Sequence, residues 1–302
     1  MLKKRIWRIV ASAFAVALLS SCSGTKQATG SADGKLPVSV TFNAMAEFVH
    51  AVGKDKVSIS TIIPNGTEPH DFEPKVKDLA TLSAAKVFVY NGLDMENWAE
   101  KAVQSAGNKS LVVVEAASGV TPIKSGETGE NGQYDPHAWM SLKCAQTEIS
   151  NIEHGLIKAD PKNTAYYTAN SAAFQTKLQQ LYDTYAAKFQ SAPRKDFVTG
   201  HAAFAYLCRD FGLEQNSVED VFASGEPSAA KLAELVNFCR TKQIKTVFSE
   251  EMVSPAVSQT LAKEAGAKVE TIYTIESAED NKDYLTRIKD NLDKIYASLT
   301  ET

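Results

Sequence analysis

The sequence predicts an α/β protein of two (βα) domains with largely parallel sheets, bridged by one long rigid helix. Three observations predict it. Short β-rich segments alternate with helical patterns from Pro37 onwards, which is typical of parallel sheets. One uninterrupted helical pattern separates two such stretches. A length of 302 residues suits two domains of about 100–200 residues each.

The first half alternates strands and helices and contains one long loop. The predicted strands are 38–42, 57–63, 87–90 and 111–115, and the predicted helices are 45–52, 76–85 and 95–106. Residues 118–133 are rich in Gly, Ser and Glu and predict a loop. We assign residues 36–159 to this N-terminal domain.

The longest regular pattern begins at Asp160-Pro161, where Asp is a good N-cap and Pro suits the first helical turn. Apolar positions from Tyr167 to Phe189 recur every three, four or seven residues, and Pro193 ends the pattern. We expect one helix of about 25–30 residues, about 40 Å long. We interpret residues 160–192 as a stiff connector between the two domains.

The second half repeats the alternation without a detectable sequence repeat. The predicted strands are 196–199, 218–222, 244–249 and 268–273, and the predicted helices are 202–211, 228–242, 255–265 and 284–299. These elements define a C-terminal domain of residues 193–302.

The N-terminus has the composition of a secretory signal. A basic segment with Lys3, Lys4, Arg5 and Arg8 precedes an apolar run from Ile9 to Ser20, which is too short to span a membrane. Leu19-Ser20-Ser21-Cys22 resembles the lipobox of bacterial lipoproteins, which implies cleavage before Cys22 and a lipid on its sulfur. We therefore expect a signal peptide at 1–21, a flexible tether at 22–35 and an extracytoplasmic, lipid-anchored body.

Charge and cysteine content exclude several classes. Four of the 32 Lys and Arg residues lie in 1–21, so 28 remain against 36 acids, a formal charge of −8. Such a balance disfavours nucleic acid as a partner. Cys144, Cys208 and Cys239 lack CxxC spacing, so we expect buried thiols, not a disulfide framework or a thiolate metal site. We expect a monomer.

Polar side chains that suit a metal follow the predicted strands. His70, His201 and Glu276 come shortly after strands, and His137 ends the long loop beyond one. Ligands of open α/β sheets bind outside the carboxyl ends of the strands, so a cleft between the domains would collect all four.

Three imidazoles and one carboxylate suit a divalent transition metal better than calcium or magnesium. If the carboxylate coordinates, no position remains for an activated water, and such a site binds rather than catalyses. This donor set therefore favours capture over hydrolysis. Because bound imidazoles must be deprotonated, we expect metal affinity to fall steeply below about pH 6.

Four ordered motifs carry a family resemblance. They are Pro69-His70-Asp71-Phe72-Glu73-Pro74, Asp135-Pro136-His137-Ala138-Trp139, Thr199-Gly200-His201-Ala202-Ala203-Phe204 and Val247-Phe248-Ser249-Glu250. From Pro37 to the C-terminus the chain resembles the zinc/manganese solute-binding lipoproteins of bacterial ABC importers. This resemblance implies two domains bridged by a rigid helix, with a metal held between them and handed to a membrane permease.

The resemblance also implies a ligand set. His70 and His137 match the first two ligands, and His201 stands where manganese-type members have Glu, which favours Zn²⁺ and leaves Mn²⁺ as the alternative. Ile275 occupies a position where many members have Asp, and Glu276 resembles the variant in which Glu closes the zinc site. Glu279, Asp280 or a water remain alternatives for the fourth ligand.

Two other functional classes stay open. A zinc hydrolase would use the three histidines and a bound water, although no HExxH motif is present. The lipid anchor would also allow a surface adhesin. Around the site, we expect Asp135 to orient an imidazole and Trp139 to exclude water. Glu250 and Glu251 follow a strand and could be outer partners of the ligands, but a solvated strand end is the favoured interpretation. We interpret His50 and His154 as surface or packing residues.

Overall fold

The computed structural model describes residues 34–126, 133–223, 227–250, 255–278 and 280–301. The predicted signal peptide, Cys22 and most of the predicted tether lie outside these ranges. None of the helices within them combines the length and apolar character needed to cross a bilayer.

Eight strands and nine α-helices make up the described fold. The strands are β1 Leu36–Val40, β2 Val57–Thr61, β3 Val87–Tyr90, β4 Val112–Glu115, β5 Asp196–Thr199, β6 Glu214–Ser217, β7 Thr246–Glu250 and β8 Lys268–Ile272. The helices are α1 Asn43–Gly53, α2 Val76–Ala84, α3 Ala99–Ala106, α4 Leu142–Ala159, α5 Thr164–Ser191, α6 Ala205–Phe211, α7 Ala229–Lys242, α8 Pro255–Ala265 and α9 Tyr284–Thr300.

The strands form two four-stranded sheets with the same topology. Their orders are β2-β1-β3-β4 and β6-β5-β7-β8, and every pairing between these strands is parallel. Helices cover both faces of a parallel sheet, so the inner strands β1, β3, β5 and β7 are mostly buried. The predicted α/β class with two parallel-sheet domains is confirmed.

Helix α5 joins the two domains as predicted. It has 28 residues, about 42 Å at 1.5 Å per residue, and follows a short 3-10 helix at Pro161–Asn163. On the N-terminal side, Asn170 Nδ2 donates to Val52 O at 3.0 Å. On the C-terminal side, Tyr182 stacks on Phe211 of α6 with ring centroids 5.1 Å apart. The helix therefore packs against both domains.

The hydrophobic core runs continuously across the domain boundary. Tyr284 at the start of α9 packs edge-on against Phe48 of α1 at 4.7 Å, and its hydroxyl donates to Trp139 O at 2.6 Å. Trp139 Nε1 in turn donates to Thr274 O at 2.7 Å. All three aromatic side chains are fully buried. These contacts join the domains tightly next to the cleft.

Apart from shifts of a few residues in the bounds of other elements, two local predictions differ from the structure. Helix α4 was not predicted, although its buried Leu142, Ala145, Ile149, Ile152 and Leu156 recur at helical spacing. The strand predicted at 218–222 is wrong, because the strand is Glu214–Ser217. This segment, EQNS, is a polar edge strand that pairs only with β5 among the described strands, so it lacks the β-branched signature of a buried strand.

Candidate metal centre

Four side chains from separate strand ends converge between the domains. They are His70, His137, His201 and Glu276, and one donor atom from each lies within 4.8 Å of all the others. The first two follow β2 and β4 of the N-terminal domain, and the last two follow β5 and β8 of the C-terminal domain. Parallel strands place their carboxyl ends at one edge, and the two sheet edges face one cleft.

The spacing of the donor atoms suits a tetrahedral ion. His137 Nε2 lies 3.1 Å from His201 Nε2 and 3.5 Å from Glu276 Oε1, and His70 Nε2 lies 3.7 Å from the same oxygen. Ligand bonds of 2.0–2.1 Å at a tetrahedral angle separate neighbouring donors by about 3.3 Å. These three distances lie within a few tenths of an ångström of that separation, which fits a zinc ion bound among them.

Several donor atoms of the site are buried without a hydrogen-bond partner, which also fits a bound metal. The side chains of His70 and Glu276 are only 2% exposed. Both ring nitrogens of His70, Nδ1 of His201 and Oε1 of Glu276 have no hydrogen-bond partner in the part of the chain that the structure describes. Buried polar atoms are normally paired, so these atoms favour an additional ligand such as a cation.

Burial keeps two of the imidazoles neutral. It lowers the pKa of His70 to about 4 and that of His201 to about 3, and the neighbouring His137 acts in the same direction. Both rings therefore offer a free lone pair at neutral pH, which is the form that binds a metal.

The other two groups form a charged pair. Burial opposes a charge on His137, but the Asp135 and Glu276 carboxylates outweigh it and raise the pKa of His137 to about 9. Burial likewise opposes ionisation of Glu276, but the adjacent His137, followed by His70 and His201, lowers the pKa of Glu276 below its ordinary value. A cation that replaces the His137 proton would keep the charge on Glu276 compensated.

Asp135 orients His137, as the sequence predicts. Asp135 Oδ1 accepts from the backbone N–H of His137 at 2.9 Å and lies 2.8 Å from its Nδ1. A proton on Nδ1 leaves the lone pair of Nε2 facing the cleft. Trp139 is fully buried with its ring centroid 5.1 Å from that of His137, so it closes this side of the site to water.

The remaining sequence candidates lie away from the donor cluster or outside the described ranges. Asp280 forms an ion pair of 2.7 Å with Arg287, and Glu279 lies outside the described ranges. His50 lies in α1 and His154 in α4, and neither belongs to the described donor cluster.

Comparison with known proteins identifies the family. A family model described as "Zinc-uptake complex component A periplasmic", named ZnuA, matches residues 38–298. The chain belongs to the ZnuA family.

Two relatives and one solved structure illustrate the match. A "putative metal-binding protein" of Treponema pallidum is 42% identical over 304 residues, which cover 97% of this chain and 96% of the relative. The "high-affinity zinc uptake system protein ZnuA" of Bacillus subtilis is 36% identical, with 96% of each chain covered. The laminin-binding protein of Streptococcus agalactiae, described as bifunctional with adhesin and metal-transporting activity, superimposes with a TM-score of 0.80 at 33% identity, over 88% of this chain and 99% of that one.

Membership of the ZnuA family confirms the resemblance stated from the four motifs. It also agrees with the donor set, because three imidazole nitrogens and one oxygen suit zinc better than manganese. The manganese alternative is therefore not favoured.

Sequence reasoning anticipated only part of the groups that hold the His201 loop. Glu250 was expected at a solvated strand end rather than as an outer partner of the ligands, but it is only 3% exposed and its Oε1 accepts from the His201 N–H at 3.1 Å. Gln215, which lies in the polar strand β6, donates through Nε2 to His201 O at 2.8 Å. The position of Glu250 after a predicted buried strand was the one sequence signal for its contact with His201. No sequence signal pointed to the contact of Gln215 with His201.

Proposed function

We propose that this protein captures Zn²⁺ outside the cytoplasm through His70, His137, His201 and Glu276 and delivers it to an ABC permease. The observation that carries the proposal is the convergence of these four side chains, two from each domain, with donor atoms within 4.8 Å of one another. The names of the zinc-uptake relatives support the same cargo.

Zinc titration of the metal-free protein tests the site. We expect one high-affinity Zn²⁺ per chain and strong weakening in the His201→Ala variant. His154→Ala is the matched control, since this histidine lies in α4 outside the donor cluster. Unchanged zinc affinity of His201→Ala would remove the third ligand. Competition between Zn²⁺ and Mn²⁺, together with elemental analysis of protein purified without added metal, tests the choice of cargo.

Four protein ligands also support a binding protein over a hydrolase. A catalytic zinc site keeps one position for water, whereas three imidazoles and Glu276 would fill a tetrahedral shell. Spectroscopy of the cobalt-substituted protein separates the two. A four-coordinate spectrum without an exchangeable water is expected, and a bound, titratable water would favour the hydrolase.

Anchoring to the membrane through Cys22 is a separate part of the proposal. We expect cleavage before this residue, a lipid on its sulfur, a tether at 22–35 and domains at 36–159 and 193–302 on either side of the connecting helix. Cells that express the Cys22→Ala variant should release the protein from the membrane fraction. Retention of this variant in that fraction would contradict the anchor.

Uptake of radioactive zinc tests delivery. Cells that lack this protein should take up zinc slowly when zinc is scarce, and wild-type protein but not His201→Ala should restore the rate. Equal rescue by the wild-type protein and His201→Ala would mean that uptake does not depend on the proposed site.

A further inference from the structure

Ile275, directly before Glu276, has a backbone conformation that its side chain disfavours. Its φ is +64°, in the left-handed region, and its side chain is fully buried. A positive φ is an outlier for a β-branched residue and persists only where surrounding contacts impose it. The turn that presents Glu276 therefore needs support from its neighbours.

Asn43 of the other domain supplies part of that support. It is the first residue of α1, directly beyond β1, and is only 7% exposed. Its side-chain Nδ2 donates to Ile275 O and its backbone N–H donates to Glu276 O, each at 3.3 Å. One residue of the N-terminal domain thus holds both carbonyls of the strained turn.

Other groups of the N-terminal domain hold the flanks of this turn. Trp139 Nε1 donates to Thr274 O at 2.7 Å, and Gly66 N donates to Ser277 Oγ at 2.9 Å. Within the turn, Thr274 Oγ1 donates to Glu276 Oε2 at 3.0 Å. The position of the Glu276 carboxylate therefore depends on the shape of residues 274–277.

We propose that Asn43 is a positioning residue. It positions Glu276 by holding Ile275 in the left-handed conformation. This inference rests on the proposed function, in which Glu276 is the fourth zinc ligand. Because Asn43 and Glu276 belong to different domains, the hydrogen bond makes zinc retention depend on contact between the domains. Separation of the domains removes the hydrogen bond and frees Ile275 to relax, which withdraws the carboxylate.

Zinc release into an excess of chelator, followed by stopped flow, tests the role of Asn43. Loss of one hydrogen bond predicts about three- to tenfold faster release from Asn43→Ala. Asn170→Ala is the matched control, since it also deletes a side-chain amide that donates to a backbone carbonyl, Val52 O, between α5 and α1. Its release rate should equal that of the wild type, and equal rates in both variants would overturn the proposal.

Two further backgrounds show how Asn43 acts. Glycine adopts φ +64° without strain, so Asn43→Ala should change the release rate by less than about twofold in an Ile275→Gly background. In an Ile275→Val background, which keeps the β-branch, the full effect should persist. An equal effect of Asn43→Ala in both backgrounds would remove the strained turn from the proposal.

The Glu276→Gln background separates this inference from the proposed function. If Glu276 is a ligand, Glu276→Gln alone speeds zinc release, and adding Asn43→Ala changes it little further. Unchanged release from Glu276→Gln would overturn the fourth ligand itself. Faster release from Glu276→Gln, with a full additional effect of Asn43→Ala, would keep the ligand and overturn the positioning role.

Discussion

Asp135 accepts two hydrogen bonds from His137 through one oxygen, from the backbone N–H at 2.9 Å and from the ring Nδ1 at 2.8 Å. Both residues are fully buried, so this geometry sets the tautomer and the direction of the imidazole. The carboxylate also stabilises a charge on the ring before any metal binds.

Replacement of Asp135 by Asn should weaken zinc binding. The amide accepts less strongly from Nδ1 and carries no charge, so His137 becomes a poorer ligand. Outer partners of metal-bound histidines typically contribute about 10- to 100-fold in affinity, and we expect a loss in this range. Competition with a chromogenic chelator measures it.

Asp160→Asn is the control for that variant. Asp160 is also a mostly buried carboxylate with side-chain donors, Tyr167 Oη at 2.8 Å and Asn163 Nδ2 at 2.6 Å, but it lies at the other end of α4. Equal losses of zinc affinity in both variants would mean that Asp135 acts only through stability.

Zinc binding at pH 7 should release between one and two protons. With its pKa near 9, His137 is protonated before zinc binds, whereas His70 and His201 are neutral. Burial and the nearby Glu276 raise the pKa of Glu68 to about 8, so zinc can displace part of a second proton there. Calorimetry in buffers of different ionisation enthalpy counts these protons.

The Glu68→Gln variant assigns the second proton. It should release about one proton at pH 7, because only His137 then loses one. Proton release that approaches three in the wild type would show that His70 and His201 are charged before zinc binds, contrary to the effect of their burial.

Zinc affinity should begin to fall steeply at a lower pH than the value of about 6 that the sequence predicts. Ordinary histidines would all compete with protons below about pH 6. Burial lowers the pKa of His70 to about 4 and that of His201 to about 3, so both rings remain neutral well below pH 6. Affinity should fall gradually from pH 9, as His137 gains its proton, and steeply only below about pH 4. A slope already near three protons at pH 6 would contradict this order.

Gly200→Ala should weaken zinc binding through Glu250. A Cβ at Gly200 would lie 2.1 Å from Glu250 Oε2, so the carboxylate that accepts from the His201 N–H must move. We expect a loss of stability of about 1–3 kcal/mol from overpacking, and a zinc affinity about tenfold lower or less than that of the wild type. Thermal unfolding and zinc competition measure the two effects.

Gly155→Ala is the control for this variant. Its Cβ would lie 2.2 Å from Val114 Cγ2, between α4 and β4, so it also overpacks the protein but leaves the His201 loop alone. It should lower stability without a change in zinc affinity. If both variants lost affinity in proportion to stability, Glu250 would have no specific role.

The alternation of strands and helices, the long helix and the four candidate donors could be predicted from the amino-acid sequence. These features are local: periodicity, caps and prolines act within a few residues, and a polar side chain after a buried strand is visible without a partner. The same local rules failed for β6, since a polar edge strand is stabilised by its pairing with β5 and not by its own residues.

The contacts that hold the donors in place depend on the folded arrangement of the two domains. Asp135 was visible two residues from His137, but the hold of Asn43 on Glu276 joins residues 233 positions apart, and that of Glu250 on His201 joins residues 49 apart. The lowered pKa values of His70 and His201 likewise arise from burial between two domains. Such contacts depend on the packing of whole sheets, which no local pattern in the chain encodes.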